Sequence, residues 1–544
     1  MIKIFQKIGI IFLLFSFNLS LAQQSVTGTV TDDAGVPLPA VNVVIQGTAV
    51  GVSTDFDGNY QISAENGQVL VFSYIGYETQ EITVNGMRQN VVMVQSDSQL
   101  DEVVVTGYGS AKRSDLTGAV SVVTSRSFNK GSVVSPQQLI QGKIAGVSIV
   151  SNSGAPGDGA NVLIRGIGSL NLNSNPLYVV DGIPLDSGGV GGSRNGLNVI
   201  NPDDIESMTI LKDASATAIF GSRAANGVVL ITTKKGKTGE IKFSFSSRSS
   251  VFNPIDYVDV LNATQFKNAV KATNNSSYIS RLGNYDTNWQ SEIYEAANAQ
   301  NNTFSASGGI NGVPFRASVG YTNQNGILMG DNFNRMTGSL NIAPSLLGGD
   351  LKINVNARYV RSENDFANRG AIGSAVFFDP TKPIYSSNPA QFGGYYTWLD
   401  SSGKKLALSP TNPLALLNLS DDESTVDRII SSVKLDYNLP VEGLKVTVNA
   451  GIDLSKGDGF SSTDKNMPTD SAGFNGSRDD YSNETTNMLF DAYLTYSNQL
   501  GKSNFNVTAG HSYQSFEYDN TNTDSVEYLN PDGSVNSSTS VTNT

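Results

Sequence analysis

The sequence contains no cysteine and a single histidine, His511. The first absence removes disulfide frameworks, thiolate zinc sites, iron–sulfur clusters, thiol catalysis and lipid attachment to an N-terminal cysteine. The second removes multi-histidine metal sites and leaves one candidate at most for a serine–histidine–aspartate triad. Basic residues are in deficit as well. The 36 Lys and Arg face 49 Asp and Glu, a net charge of −13, which argues against a nucleic-acid partner. Beyond the first 22 residues no apolar run approaches the about 20 residues of a membrane helix. Glycine is abundant at 54 residues, alongside 24 Phe and 21 Tyr. That pairing suits turn-rich β structure, and 544 residues are enough for several domains or one large closed β fold. No catalytic residue, metal ligand or cofactor site is assigned.

Residues 1–22 read as a secretory signal peptide. Lys3 and Lys7 form the positive start, Ile8 to Phe17 the apolar stretch, and Ser20-Leu21-Ala22 the small-residue cleavage site. Cleavage after Ala22 would begin the mature chain at Gln23, so the chain is expected to leave the cytoplasm.

Residues 23–95 read as a small β-sandwich. Val26, Gly28 and Val30 alternate with Thr27 and Thr29, and Val41, Val43 and Ile45 repeat the two-residue period. Turn signals at Asp32–Gly35, Asp57-Gly58-Asn59 and Asn85-Gly86 punctuate the strands, and about seven strands are expected. The stretch GTVTDDAGVPLPAVNVVIQGTAVGVSTDFDGNYQIS with VLVFSYIGYET resembles the carboxypeptidase regulatory-like domain. Peptidase chemistry does not follow, because a zinc carboxypeptidase needs two histidine ligands.

A linker with a short strand follows at 96–114. Val103, Val104, Val105 and Thr106 have strong strand propensity but no obvious partner nearby in sequence. A tethered strand of this kind suits pairing with another protein's sheet edge; the plainer alternative is an edge strand of a neighbouring domain. The segment LDEVVVTGYG resembles the TonB box of SusC/RagA-like TonB-linked outer-membrane proteins, with Glu102 to Thr106 as the expected TonB-binding residues. The resemblance extends through 115–237, where DLTGAVSVV, PQQLIQGKIAGVSI, GAPGDGANVLIRGIGSL, PLYVVDGIP and NPDDIESMTILKDASATAIFGSRAANGVVLITTKKGK look like successive signatures of that family's plug domain. Arg165 and Gly166, with Asp181 and Gly182, are the plug positions expected to serve structure or the interface with a wall. The guanidinium of Arg165 is suited to pairing a carboxylate there; an ordinary surface charge is the alternative. Independently of the resemblance, 115–237 reads as a compact mixed α/β domain, with helices expected near 136–145 and 214–220.

From 238 to 544 the pattern changes to long alternating strands. Leu351, Ile353, Val355, Ala357 and Tyr359 interleave with Lys352, Asn354, Asn356 and Arg358, and Leu444 to Leu454 alternate in the same way. Apolar-out, polar-in over about ten residues is the signature of a transmembrane β-barrel strand. Nine strands are expected, at 240–249, 302–309, 313–323, 334–343, 350–361, 428–438, 443–455, 487–498 and 503–515, joined alternately by long and short links. The tail SSTSVTNT is expected to be no membrane strand. Plugged outer-membrane transporters have about 22 strands, so the barrel is expected to be incomplete in this chain.

The fold class is therefore mainly β: a sandwich, a mixed plug and part of an antiparallel transmembrane barrel. The expected function is energy-coupled nutrient import across the outer membrane of a Gram-negative, Bacteroidota-like cell. The resemblance implies TonB with ExbB–ExbD as energy source, a SusD-like surface lipoprotein as partner, outer-membrane lipid around the wall, and an oligosaccharide or oligopeptide ligand. The alternatives are a siderophore or cobalamin receptor and a non-transporting surface adhesin. His511, on an alternating strand beside Tyr513, suits an interfacial belt better than catalysis.

Overall fold

The computed structural model describes residues 25–543 apart from 34, 49, 75–76, 78, 95–102, 107–108, 113–119, 152, 169–173, 186–189, 214–216, 470–472, 502 and 530–533. The expected leader and Glu102 lie outside the described residues. One compact unit holds the N-terminal domain, and a second holds the central domain together with a large sheet.

Period-two alternation builds the N-terminal domain. Its strands are β1 (Ser25–Thr31), β2 (Asn42–Ile45), β3 (Gly51–Ser53), β4 (Asn59–Ser63), β5 (Val69–Ser73), β6 (Gln80–Thr83) and β7 (Val91–Val92). They form two sheets, β4-β1-β7 and β3-β2-β5-β6, as a seven-strand sandwich requires. Val26, Val30, Val43, Ile45, Leu70 and Phe72 point into the common core. Tyr60 packs edge-on to Phe72 at 5.3 Å and donates its hydroxyl to Gln89 O at 2.9 Å. Burial pushes that phenol up to about 12.

The strand expected to be unpartnered has a partner: β8 (Val103–Thr106) pairs with β9 (Gly109–Lys112). Only two residues, Gly107 and Tyr108, separate the strands, a connection length that favours hairpins. Among the described residues the second edge of β8 carries no strand.

The central domain is a five-stranded sheet in the order β10-β15-β16-β13-β14, with the hairpin β11-β12 beside it. The strands are β10 (Val120–Thr124), β11 (Val147–Ser151), β12 (Ala160–Ile164), β13 (Leu177–Val180), β14 (Ile183–Pro184), β15 (Ile205–Leu211) and β16 (Val228–Thr233). Ile205, Met208, Ile210, Val229 and Ile231 are buried in its core. The first expected helix is shorter than its pattern suggested, a 3₁₀ turn at Pro136–Ile140, and the second overlaps a 3₁₀ segment at Ala218–Ala224, residues 214–216 lying outside the described ones. Gly142, at φ +73°, ends the first, and non-helical backbone at Gly221 kinks the second.

The large sheet is a meander of long antiparallel strands: β17 (Lys242–Phe252), β18 (Ala297–Ile310), β19 (Val313–Asn325), β20 (Asn332–Ile342), β22 (Leu351–Asp365), β23 (Ser420–Asn438), β24 (Leu444–Thr463), β25 (Phe474–Leu500), β26 (Ser503–Leu529) and β27 (Val535–Asn543). The two-residue β21 (Ser345–Leu346) pairs with β22 off this path. Beside the nine expected strands the sheet holds a tenth, because the polar tail pairs as β27 with Thr521–Leu529 of β26, beyond the expected span 503–515. Phe245, Phe304, Val319, Tyr359 and Ile429 occupy one cross-strand row and are all exposed. A continuous exposed apolar row suits lipid rather than water. The strands outrun a membrane: the 27 residues each of β25 and β26 would span about 90 Å at about 3.4 Å per residue. Among the described residues no helix is long and apolar enough to cross a bilayer; the sheet supplies spanning strands instead.

Candidate functional site

The central domain meets the inner face of the sheet through polar groups. Strand alternation places Arg316, Arg335, Arg358 and Arg428 on that face, and all four are buried. The turn Asn201-Pro202-Asp203-Asp204 reaches four successive strands, the last through Ser339 Oγ of β20, which donates to Asp204 at 3.4 Å. Asn201 Oδ1 accepts from Asp203 N at 3.1 Å, capping the turn, while its Nδ2 donates to Thr303 Oγ1 on β18 at 3.0 Å. Asp204 faces Arg316 Nη1 of β19 at 2.8 Å and accepts from Ser318 Oγ at 2.7 Å. Asp203 accepts from Thr303 Oγ1 at 3.2 Å and lies 3.5 Å from Arg248 of β17.

Asp181 follows β13 and reaches β22. Arg358 of β22 pairs with it, and Thr233 at the end of β16 donates N–H and hydroxyl at 3.0 and 2.7 Å. Burial alone would raise this carboxyl, but Arg358 and Thr233 outweigh it and hold it below the ordinary carboxylate value. Gly182 lies beside it, with Asn449 of β24 as its neighbour across the contact. A cavity of about 190 Å³ opens there, lined by Asp181, Asn354, Asn356, Lys434, Asp436 and Asn449 among others. Such a lining suits water.

Arg165 pairs with Asp213 of the central domain itself and is 57% exposed, an ion pair within the plug rather than with the wall. Gly166 has nothing within 4 Å of where a Cβ would sit. The anchors that sequence reasoning missed are Arg194, which pairs with Asp331 and stacks 4.3 Å over Phe366, and the Asp203–Asp204 turn. Asp203 and Asp204 stand inside a quoted motif, but nothing local in the sequence names their partners.

On the far side of the sheet from the short turns at 311–312, 439–443 and 501–502, the links 253–296 and 366–419 fold on each other. Trp289 packs against Phe378 with ring centroids 4.5 Å apart and planes tilted by 59°, and donates its indole N–H to Asp379 O at 3.0 Å. Lys382 sits 4.4 Å over the Trp398 ring, and burial lowers its ammonium below the usual lysine value. An open cavity of about 340 Å³ lies here, lined by Phe266, Tyr278, Leu282, Phe377, Trp398 and Leu406 among others. These links carry short helices, including Ala263–Ala272 and Gly370–Phe377, that strand periodicity did not announce. His511 is exposed on β26 opposite Ala492.

Comparison with known proteins gives this arrangement its context. Residues 112–228 match the TonB-dependent Receptor Plug Domain, and residues 26–105 match the CarboxypepD_reg-like domain. The chain is 39% identical to the TonB-dependent receptor SusC of Bacteroides thetaiotaomicron, over 91% of this chain and 51% of that protein. It is 35% identical to TonB-dependent receptor P3 of Formosa agariphila, over 92% of this chain and 49% of that protein. The chain therefore spans about half the length of the curated relatives it matches. In fold it is similar to a RagAB peptide importer in its open–open state, with a TM-score of 0.60 and 24% identity over 81% of this chain and 53% of that one. These relatives are receptors and transporters rather than enzymes. With a plug domain packed inside spanning strands and a CarboxypepD_reg-like domain before it, the chain belongs with the SusC-type TonB-dependent receptors.

Proposed function

We propose that the protein imports a nutrient, an oligosaccharide or oligopeptide, across the outer membrane at the expense of force delivered by TonB. The observation that carries this reading is the chemistry of the plug–wall contact. Three plug carboxylates, Asp181, Asp203 and Asp204, meet wall guanidiniums amid hydroxyl and amide groups. Water can replace each of these contacts when the plug moves, whereas a wholly apolar contact would expose area at about 25 cal/mol per Å². A contact of this kind closes firmly and still opens under load.

The domain limits proposed with this reading are 1–22 for the leader, 23–95 for the N-terminal domain, 96–114 for the coupling linker, 115–237 for the plug and 238–544 for barrel strands. TonB, energised by ExbB–ExbD, is proposed to capture Glu102–Thr106 by adding a strand to the unpaired edge of β8. A SusD-like lipoprotein is proposed as the partner on the side of the long links, where the aromatic cavity receives ligand.

Val104→Pro tests the coupling step. Proline removes one backbone donor and fixes φ near about −65°, which blocks ladder pairing in mid-strand. Labelled-ligand binding to whole cells is expected to persist while energised accumulation is lost. Val104→Ile is expected to change neither, since main-chain bonds carry most of the affinity in strand addition. Accumulation at the wild-type rate by the proline variant would overturn the assignment of Glu102–Thr106.

A further inference from the structure

Four consecutive inward-facing rows of the wall each present at least one arginine. The first row runs Ser307, Arg316, Asn341, Asn356 and Ser432 across β18 to β23. The second runs Ser305, Ser318, Ser339, Arg358 and Ile430; the third Thr303, Gly320, Thr337, Val360 and Arg428. The fourth runs from Arg248 of β17 through Asn301, Thr322 and Arg335 to Ser362 and Val426. Rows two residues apart are about 6.7 Å apart along a strand. The guanidiniums therefore form a stair about 20 Å long on one arc of the wall. On β24 the same rows add a single carboxylate, Asp453, which Arg428 already holds through two bonds of 2.7 Å.

The charge of this arc is opposite to that of the chain, whose acidic residues outnumber its basic ones by 49 to 36. Among the described residues Arg248, Arg316 and Arg358 are balanced only from the plug, by Asp203, Asp204 and Asp181. Arg335 has no carboxylate partner among the described residues although it is only 1% exposed. It donates to the carbonyls of Val134 and Asn198 in the plug, at 3.2 and 3.4 Å, and to Thr322 Oγ1 at 3.2 Å. Its buried Nε has no hydrogen-bond partner. Holding the plug does not require Arg335 to be charged, because a neutral amide would serve two carbonyls at far lower desolvation cost. When the plug yields a path along this arc, four guanidiniums lose their plug partners together, and Arg335 keeps only Thr322 of the wall. Rows of arginine lining a passage favour anions, and the planar fork pairs carboxylate or sulfate in two-point contact.

We propose that the cargo passing this arc is polyanionic, a glycan or peptide carrying several carboxylate or sulfate groups, which replaces the plug carboxylates on the arginine stair. The proposal rests on the import reading and narrows its substrate class.

The test is uptake by whole cells carrying the complete receptor and its energising partners, with four fluorescent probes: an oligogalacturonate, a neutral maltooligosaccharide, a glutamate-rich peptide and a glycine–serine peptide. One of the anionic probes is expected to accumulate at least tenfold faster than its neutral counterpart, and which one does so separates glycan from peptide. Arg335→Gln is expected to lower accumulation of that probe five- to tenfold at equal surface display, and Arg335→Lys to restore most of it. Arg248→Gln is the second variant, because its side chain is 35% exposed and its loss leaves packing intact; a two- to fivefold reduction confined to the anionic probe is expected. Equal uptake of neutral and anionic probes, or equal slowing of both by the glutamine variants, overturns the proposal while import stands. No energised accumulation of any probe overturns the import reading and the proposal with it.

Discussion

The N-terminal domain and the plug–wall contact are both well-buried interfaces between β elements, yet they are made of opposite materials. In the first, Val26, Val30, Leu70 and Phe72 meet with no exposed surface at all. In the second, Asp181, Arg358, Asp204 and Arg316 meet with side chains 5–8% exposed. The apolar core gains from every group removed from water and loses all of that on opening. The ionic contact roughly balances desolvation against attraction, so its closed and open forms differ little in energy while a half-broken pair costs much. One interface is suited to permanence and the other to switching.

The largest effect that would sharpen this contrast is Phe72→Ala. Deleting a fully buried ring costs about 3–5 kcal/mol, enough to make residues 25–94 sensitive to limited proteolysis while the barrel strands stay protected. If protection of 25–94 were unchanged, the apolar core would not be what holds that domain.

A comparable but recoverable effect is expected at the plug. Arg358→Met leaves Asp181 buried without its cation and should destabilise plug seating by about 3–5 kcal/mol. Adding Asp181→Leu should return most of that loss, giving a coupling energy well above 1 kcal/mol in a double-mutant cycle read by denaturant-induced plug exposure. Additive single effects would mean that the two side chains do not act as a pair.

The smallest effect is that of pH. The Asp181 carboxyl is lowered in the folded protein from its ordinary 3.8. Its contribution is therefore fully present above that value and is lost as pH falls through the lower folded value. Plug seating is expected to be flat from pH 7 to about 5 and to weaken only in stronger acid. An Asp181→Asn receptor should lack the part of the acid-induced loosening that the wild type shows. A loosening centred near pH 6 would have to come from another group.

The alternation of Leu351 to Tyr359 was enough to assign β22 and its two faces, because side-chain direction in a strand depends only on position parity. The hydrophobic period and turn residues likewise announced the seven-strand sandwich. Parity failed where both faces are polar: Val535–Asn543 reads NSSTSVTN after its first residue, and only pairing with β26 makes it a strand. The loop helices escaped for a related reason, since they pack against one another rather than on a sheet.

The sequence by itself thus determined the domain order, the strand faces and the inward side of Arg358, because each follows from neighbours a few residues apart. Only the tertiary structure decided that Arg358 meets Asp181, 177 residues away, or that Arg165 turns to Asp213 and leaves the wall to others. Those choices depend on strand register and on how the plug is seated within the wall. Both are set by the sum of many weak contacts across the fold, and no local pattern carries that sum.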